Sequence, residues 1–184
     1  MKKTIKFLVI AASLLVAFAC KNKEETTTTT TTETTTTESV GQSGVKDETS
    51  NPNIVQTAIK SKDHSTLVTA VKAAGLVDAL SNAGPFTVFA PTNAAFDKLP
   101  KGTVDDLLKP ENKDKLKSIL EYHTYVGSLK TDYMNDGQEY EMVSGGNVKI
   151  TKKGDKTYVN GSEITGSIET SNGIIHVIGD VLTP

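Results

Sequence analysis

The chain has 184 residues, with 20 Lys+Arg against 22 Asp+Glu and a formal net charge of −2, and every basic residue is a lysine. That length suits one ordinary domain, taking roughly 100–200 residues each, and the lack of arginine argues against a nucleic-acid partner, whose phosphates and base edges are met by bidentate guanidinium groups. No Trp, five Tyr and five Phe supply little for an aromatic stacking platform, and one cysteine excludes an intrachain disulfide framework or a cysteine-rich zinc site.

The elements are predicted in chain order as an address, a tether and a domain. Lys2, Lys3 and Lys6 precede a charge-free apolar run from Phe7 to Ala19. A basic start followed by an apolar stretch of roughly 7–15 residues is the pattern of an export signal, and it is too short for a spanning helix, which needs about 20. Ala17-Phe18-Ala19-Cys20 resembles the lipobox of bacterial lipoproteins, which implies residues 1–19 as a lipoprotein signal peptide and Cys20 as a lipidated mature N-terminus. The alternative is ordinary cleavage that leaves a free thiol. Removing residues 1–19 takes three lysines and no acids, leaving 17 against 22 and a net charge of −5. A lipid at Cys20, not headgroup attraction, would then hold the protein at a membrane.

Residues 20–50 are nearly all Thr, Glu, Lys, Ser and Gly, and Thr26 to Thr37 is interrupted only by Glu33. With no apolar periodicity there is nothing to offset the ordering entropy, so a disordered linker is expected. About 30 such residues have an r.m.s. span of roughly 30 Å and a stretched length of about 100 Å. Such a stretch is either a plain spacer or an O-glycosylated stalk. Lys23-Glu24-Glu25 is similar to the charged stretch that marks export to the outer face in some Gram-negative bacteria.

Residues 51–184 are expected to form the domain. Leu67, Val68, Val71, Ala74, Leu76, Val77 and Leu80 recur at helical spacing, with Asp63 or Ser65 available as N-cap and Gly75 as a break. Phe86 to Ala90 reads as a strand ended by Pro91, after which Thr92 or Asn93 can cap a helical turn. Thr103 with Asp106 resembles a capping box, and Pro110 opens a helix with Leu116, Ile119, Leu120 and His123 on one face. Beyond it, Tyr122–Leu129, Tyr140–Val143, Val148–Thr151, Thr157–Val159, Glu163–Ile168 and Ile174–Leu182 read as strands. Gly145-Gly146-Asn147, Lys153-Gly154-Asp155 and Asn160-Gly161 are hairpin turns between them. Helices first and strands afterwards predict an α+β class, with N-terminal helices packed on an antiparallel sandwich or wedge.

Three blocks resemble the fasciclin family. Thr66–Val71 through Gly84-Pro85-Phe86-Thr87-Val88-Phe89-Ala90-Pro91-Thr92-Asn93-Ala94-Ala95-Phe96 is similar to its first signature, Tyr122-His123 to its central Tyr-His motif, and Asn172-Gly173-Ile174-Ile175-His176-Val177-Ile178 with Val181-Leu182 to its second signature. The family usually has Asp directly after His-Val-Ile, where this chain has Gly179 and then Asp180. The resemblance implies a fasciclin-like fold and non-catalytic adhesion to an extracellular protein or polysaccharide, with Tyr122 and His123 as partner-binding candidates. The residues alone leave a second reading of that pair, a helix-end aromatic and a buried imidazole bonded to backbone. His176 reads as a satisfied core histidine.

No catalytic set emerges. His64, His123 and His176 lack paired metal-ligand spacing, no Gly-x-Ser-x-Gly occurs, and Gly145-Gly146 lies between strands. No cofactor, metal or nucleic acid is expected. The functional expectation is an exported lipoprotein of the outer membrane, displayed at the cell surface. The alternative is a lipoprotein on the periplasmic face that binds a small molecule in an apolar pocket near Tyr122 and His123.

Overall fold

The computed structural model describes residues 51–184. The expected signal peptide 1–19, the expected lipid attachment at Cys20 and the expected linker 20–50 lie outside the described residues. The first described helix, α1 (Ile54–Lys60), is not among the predicted elements. It begins where the Asn53 side chain accepts from Gln56 N (2.8 Å) while Gln56 Oε1 accepts from Asn53 N (3.1 Å), a reciprocal capping box.

Helix α2 (Ser65–Ala74) buries Leu67, Val71 and Ala74 of the predicted face and adds Ala70, while Val68 is only half-buried. It stops at Gly75, whose left-handed φ of 72° lets Leu76 N reach back to Val71 O at 3.0 Å. Its start differs from expectation: neither Asp63 nor Ser65 caps it. A 3-10 turn, Lys62–His64, leads in, and the acceptor comes from far along the chain, where Asn93 Oδ1 takes the Thr66 N–H at 3.0 Å. Asn93 Nδ2 donates to Lys62 O (3.0 Å), so one amide satisfies both sides of the turn. Helix α3 (Val77–Ser81) follows at once.

Strand β1 (Phe86–Pro91) is buried along almost its whole length. Thr92 Oγ1 then caps α4 (Asn93–Asp97) through Ala95 N at 3.3 Å, as read. The capping box expected at Thr103 does not form. Helix α5 (Thr103–Leu107) starts from Gly102 at φ 86° without a side-chain cap, and Asp106 instead holds Lys109 at 2.8 Å. Pro110 opens a 3-10 turn that runs into α6 (Lys113–Tyr122).

Six further strands follow: β2 (Thr124–Val126), β3 (Glu139–Glu141), β4 (Asn147–Lys153), β5 (Lys156–Val159), β6 (Ser162–Thr170) and β7 (Gly173–Ile178). Asn160 at φ 46° and Gly161 at φ 83° turn β5 into β6, the pairing of residues that suits a two-residue hairpin. Strand β2 is much shorter than the predicted Tyr122–Leu129. Tyr122 ends α6 and His123 is still helical, because its N–H closes onto Ile119 O and Leu120 O. At the far end β7 stops at Ile178.

The seven strands lie in the order β2-β1-β7-β6-β5-β4-β3. Neighbours are antiparallel except β1 and β7, which run parallel from Phe86↔Gly173 to Pro91↔Ile178. The α+β class stands, but the sheet is mixed where an antiparallel one was expected. This parallel pair has both faces covered, which is why both strands are largely apolar along their length. Val88, Ala90 and Ile175 face the helices with Ile54, Leu67, Val71, Leu116 and Leu120. Phe89 and Ile178 face a second core with Met134, Met142, Val148, Ile150 and Val159. The two outer strands also approach each other: Val143 N, just past β3, donates to Thr124 O of β2 at 2.9 Å, and Tyr125 meets Tyr140 edge-on at 5.5 Å.

Candidate functional site

Tyr122 and His123 fall at the end of α6, where the helical core and the strand core meet. Tyr122 is buried, and its hydroxyl donates to Asn147 O (2.7 Å) and accepts from Asn160 Nδ2 (2.9 Å). Asn160 in turn accepts from Lys149 N at 2.8 Å, so the helix end is pinned to β4 and to the β5–β6 turn. Gly146 packs directly against the Tyr122 ring, since a Cβ there would stand 2.7 Å from Cε2.

His123 is 2% exposed. Its Nδ1 lies 2.8 Å from Ile119 O, and its Nε2 accepts the Leu182 N–H at 2.9 Å. Only the neutral ring protonated at Nδ1 makes both bonds. Burial pushes its pKa down to about 4, against a smaller upward pull from the Ile119 carbonyl. The imidazole therefore ties the C-terminal segment to α6. The structure brings the two candidate residues together as a buried joint with every side-chain nitrogen and oxygen bonded, so a partner at this place touches their neighbours first.

His176 matches its sequence reading. It is fully buried, bonded to Ser167 Oγ and Leu129 O at 2.7 Å each and stacked on Phe89 at 5.5 Å. Burial lowers its pKa too, partly offset by the Leu129 carbonyl. Two polar residues that sequence reasoning did not single out hold the central strands. Thr87 Oγ1 donates to Gly127 O (2.7 Å) and accepts from Leu129 N (2.9 Å). Asn172 accepts from Ile54 N (2.9 Å) and donates to Leu80 O (2.8 Å) and Asn82 O (2.9 Å). Its successor Gly173 is required by contact, because a Cβ there would lie 1.9 Å from Phe86 O.

Beside His123, between α6 and helices α2, α4 and α5, lies an apolar groove of about 220 Å³. Phe96, Leu99, Leu107, Ile119 and Val181 line it, with Lys115, Thr103 and Thr183 at its edge. The His123–Leu182 bond sets the position of the segment that forms one wall. A second void between α1, α2 and β1 holds only about 30 Å³, one water's share of liquid volume. Among the described residues no three His, Cys, Asp or Glu side chains converge as a metal site would need.

Helices laid on a mixed seven-stranded sheet, locked by a buried Tyr-His joint, define an α+β domain of fasciclin type. The fasciclin domain model matches residues 62–184, and the chain belongs to that family. It is 49% identical over 132 residues to protein sll1483 of Synechocystis sp., covering 71% of this chain and 73% of that one. It is 41% identical over 110 residues to the cell surface glycolipoprotein MPB83 of Mycobacterium bovis, covering 59% of this chain and 48% of the relative. The fold is shared with a fasciclin domain pair from the insect cell adhesion molecule fasciclin I, at TM-score 0.63 and 18% identity over 72% of this chain and 51% of that one.

Proposed function

We propose that the protein is an exported lipoprotein, anchored through Cys20, whose fasciclin domain makes non-catalytic adhesive contacts with an extracellular protein or polysaccharide. The observation that carries the reading is what surrounds the buried joint. Val126 on β2 and Val143 are 65% and 46% exposed, and Val143 is hydrogen-bonded to the residue that follows His123. Exposed apolar side chains on a rigid, fully bonded support suit contact with a partner, because little entropy remains to be lost on binding. Tyr122 and His123 would act as positioning residues for this surface. A surface glycolipoprotein among the relatives and an adhesion molecule with the same fold are consistent with this reading, and residues 20–50 would serve as the stalk. A negative mature chain leaves attachment to the lipid.

Cys20→Ser should release the protein from the membrane, and protease added to intact cells should remove the domain. Full protection in cells of verified integrity refutes surface display. Replacing Val126 and Val143 by Asp should abolish capture in a glycan and matrix-protein screen, and unchanged capture refutes the proposed contact surface. One observation favours a second reading, small-molecule binding from the periplasmic face: the apolar groove beside His123.

A further inference from the structure

The groove has apolar walls and a single charge at its lip. Phe96, Leu99, Leu107, Ile119 and Val181 are each only partly buried by the rest of the protein, so apolar surface remains for something else to cover. The volume of about 220 Å³ exceeds the 150 Å³ that, in an engineered cavity lined by Leu, Ile and Phe, suffices for benzene. At roughly 30 Å³ for each methylene-sized group, one water's share of liquid volume, it takes an aliphatic tail of about seven carbons, the length of octanoate beyond its carboxylate.

The edge sets the other end of the ligand. Lys115, exposed, is the one charged residue lining the groove, and Thr103 and Thr183 add two hydroxyls; no Asp or Glu lines it. Lys115 makes no ion pair within 4.0 Å with another described residue. Asp106, whose charge it feels, is already engaged by Lys109 at 2.8 Å. A wall fixed by a neutral imidazole adds no competing cation deeper in. We propose that the groove binds a free medium-chain carboxylate, with the hydrocarbon tail along α6 and the carboxylate at Lys115. The assignment rests on the small-molecule reading above and names its ligand class.

The test is an amide-shift NMR titration of the full chain carrying Cys20→Ser, which has no acyl group of its own to compete. Butyrate, hexanoate, octanoate and 1-octanol are the probes. Saturable shifts are expected at Phe96, Leu99, Leu107, Ile119 and Val181, tightening about fourfold per methylene from butyrate to octanoate. Lys115→Gln, an exposed change that leaves the core intact, should weaken octanoate about threefold to fivefold and leave octanol unchanged. Val181→Phe, which fills the groove, should remove both. Octanol binding as tightly as octanoate, with Lys115→Gln silent, overturns the carboxylate while small-molecule binding stands. Absence of saturable shifts with all four probes, or shifts that map elsewhere, overturns both.

Discussion

Lowering the pH from 7 to 5 should destabilise the domain by about 2 kcal/mol through His123 alone. The folded ring titrates at about 4 because it is buried, while the unfolded ring titrates near 6.5. The unfolded chain therefore binds protons over a range where the folded chain does not, and protonation pulls the equilibrium toward unfolding. The stabilisation is present in full above pH 6.5, declines as the pH falls, and is lost near 4. At roughly 1.4 kcal/mol per unit the full effect is about 3 kcal/mol. The geometry gives the same sign: a proton on Nε2 turns the acceptor of the Leu182 N–H into a donor facing a donor, at 2.9 Å. Urea unfolding at pH 7, 6 and 5 measures the loss, and NMR of the imidazole follows the ring itself. His64 and His176 are shifted the same way by burial, so His123→Gln should reduce the pH slope without flattening it. A His123 ring that titrates near 6.5 in the folded protein, or a variant with the wild-type slope, would refute the reasoning.

Other substitutions probe the joints. Asn172→Ala strands Ile54 N, Leu80 O and Asn82 O and should cost about 3 kcal/mol in urea unfolding, at roughly 1 kcal/mol per orphaned group. Tyr122→Phe keeps the ring but leaves Asn147 O and Asn160 Nδ2 unbonded; a loss of about 1–2 kcal/mol is expected from thermal and urea melts. Gly173→Ala drives a methyl into Phe86 O, which would lie 1.9 Å away. It should therefore separate β1 from β7 and abolish the native near-UV circular dichroism, and a folded, near-native variant would show that the parallel pair is looser than described.

What could be read from the sequence was local. The apolar spacing of α2 and α6, the strand after Pro85, the Thr92 cap and the Asn160-Gly161 turn all depend on residues within a few positions of one another. Errors occur where a distant residue decides, or where a neighbour competes for the same side chain. Asp63 and Ser65 are reasonable caps, but Asn93, 27 residues beyond Thr66, takes that place. Thr103-x-x-Asp106 has the letters of a capping box, yet Asp106 has a lysine three residues on and Gly102 supplies the bend. The parallel pairing of β1 with β7 leaves no trace in either strand beyond continuous burial, because it depends on everything folded between them. At the candidate site, the sequence could place Tyr122-His123 at a helix end. It could not show that the groove next to the pair is assembled from α2, α4, α5, α6 and residues 181–183, since no periodicity links Phe96 to Val181.

The approach of β3 to β2 through Val143 and Thr124 also bears on how copies of the domain behave together. A sheet's outer strand is a template on which another molecule can continue the ladder, and short or mutually covered edges remove that template. Here each outer strand has three residues, and a backbone bond from Val143, two residues past β3, ties that end of the sheet to β2. Neighbouring domains can thus be crowded without fusing strand to strand, which leaves their encounters to side chains.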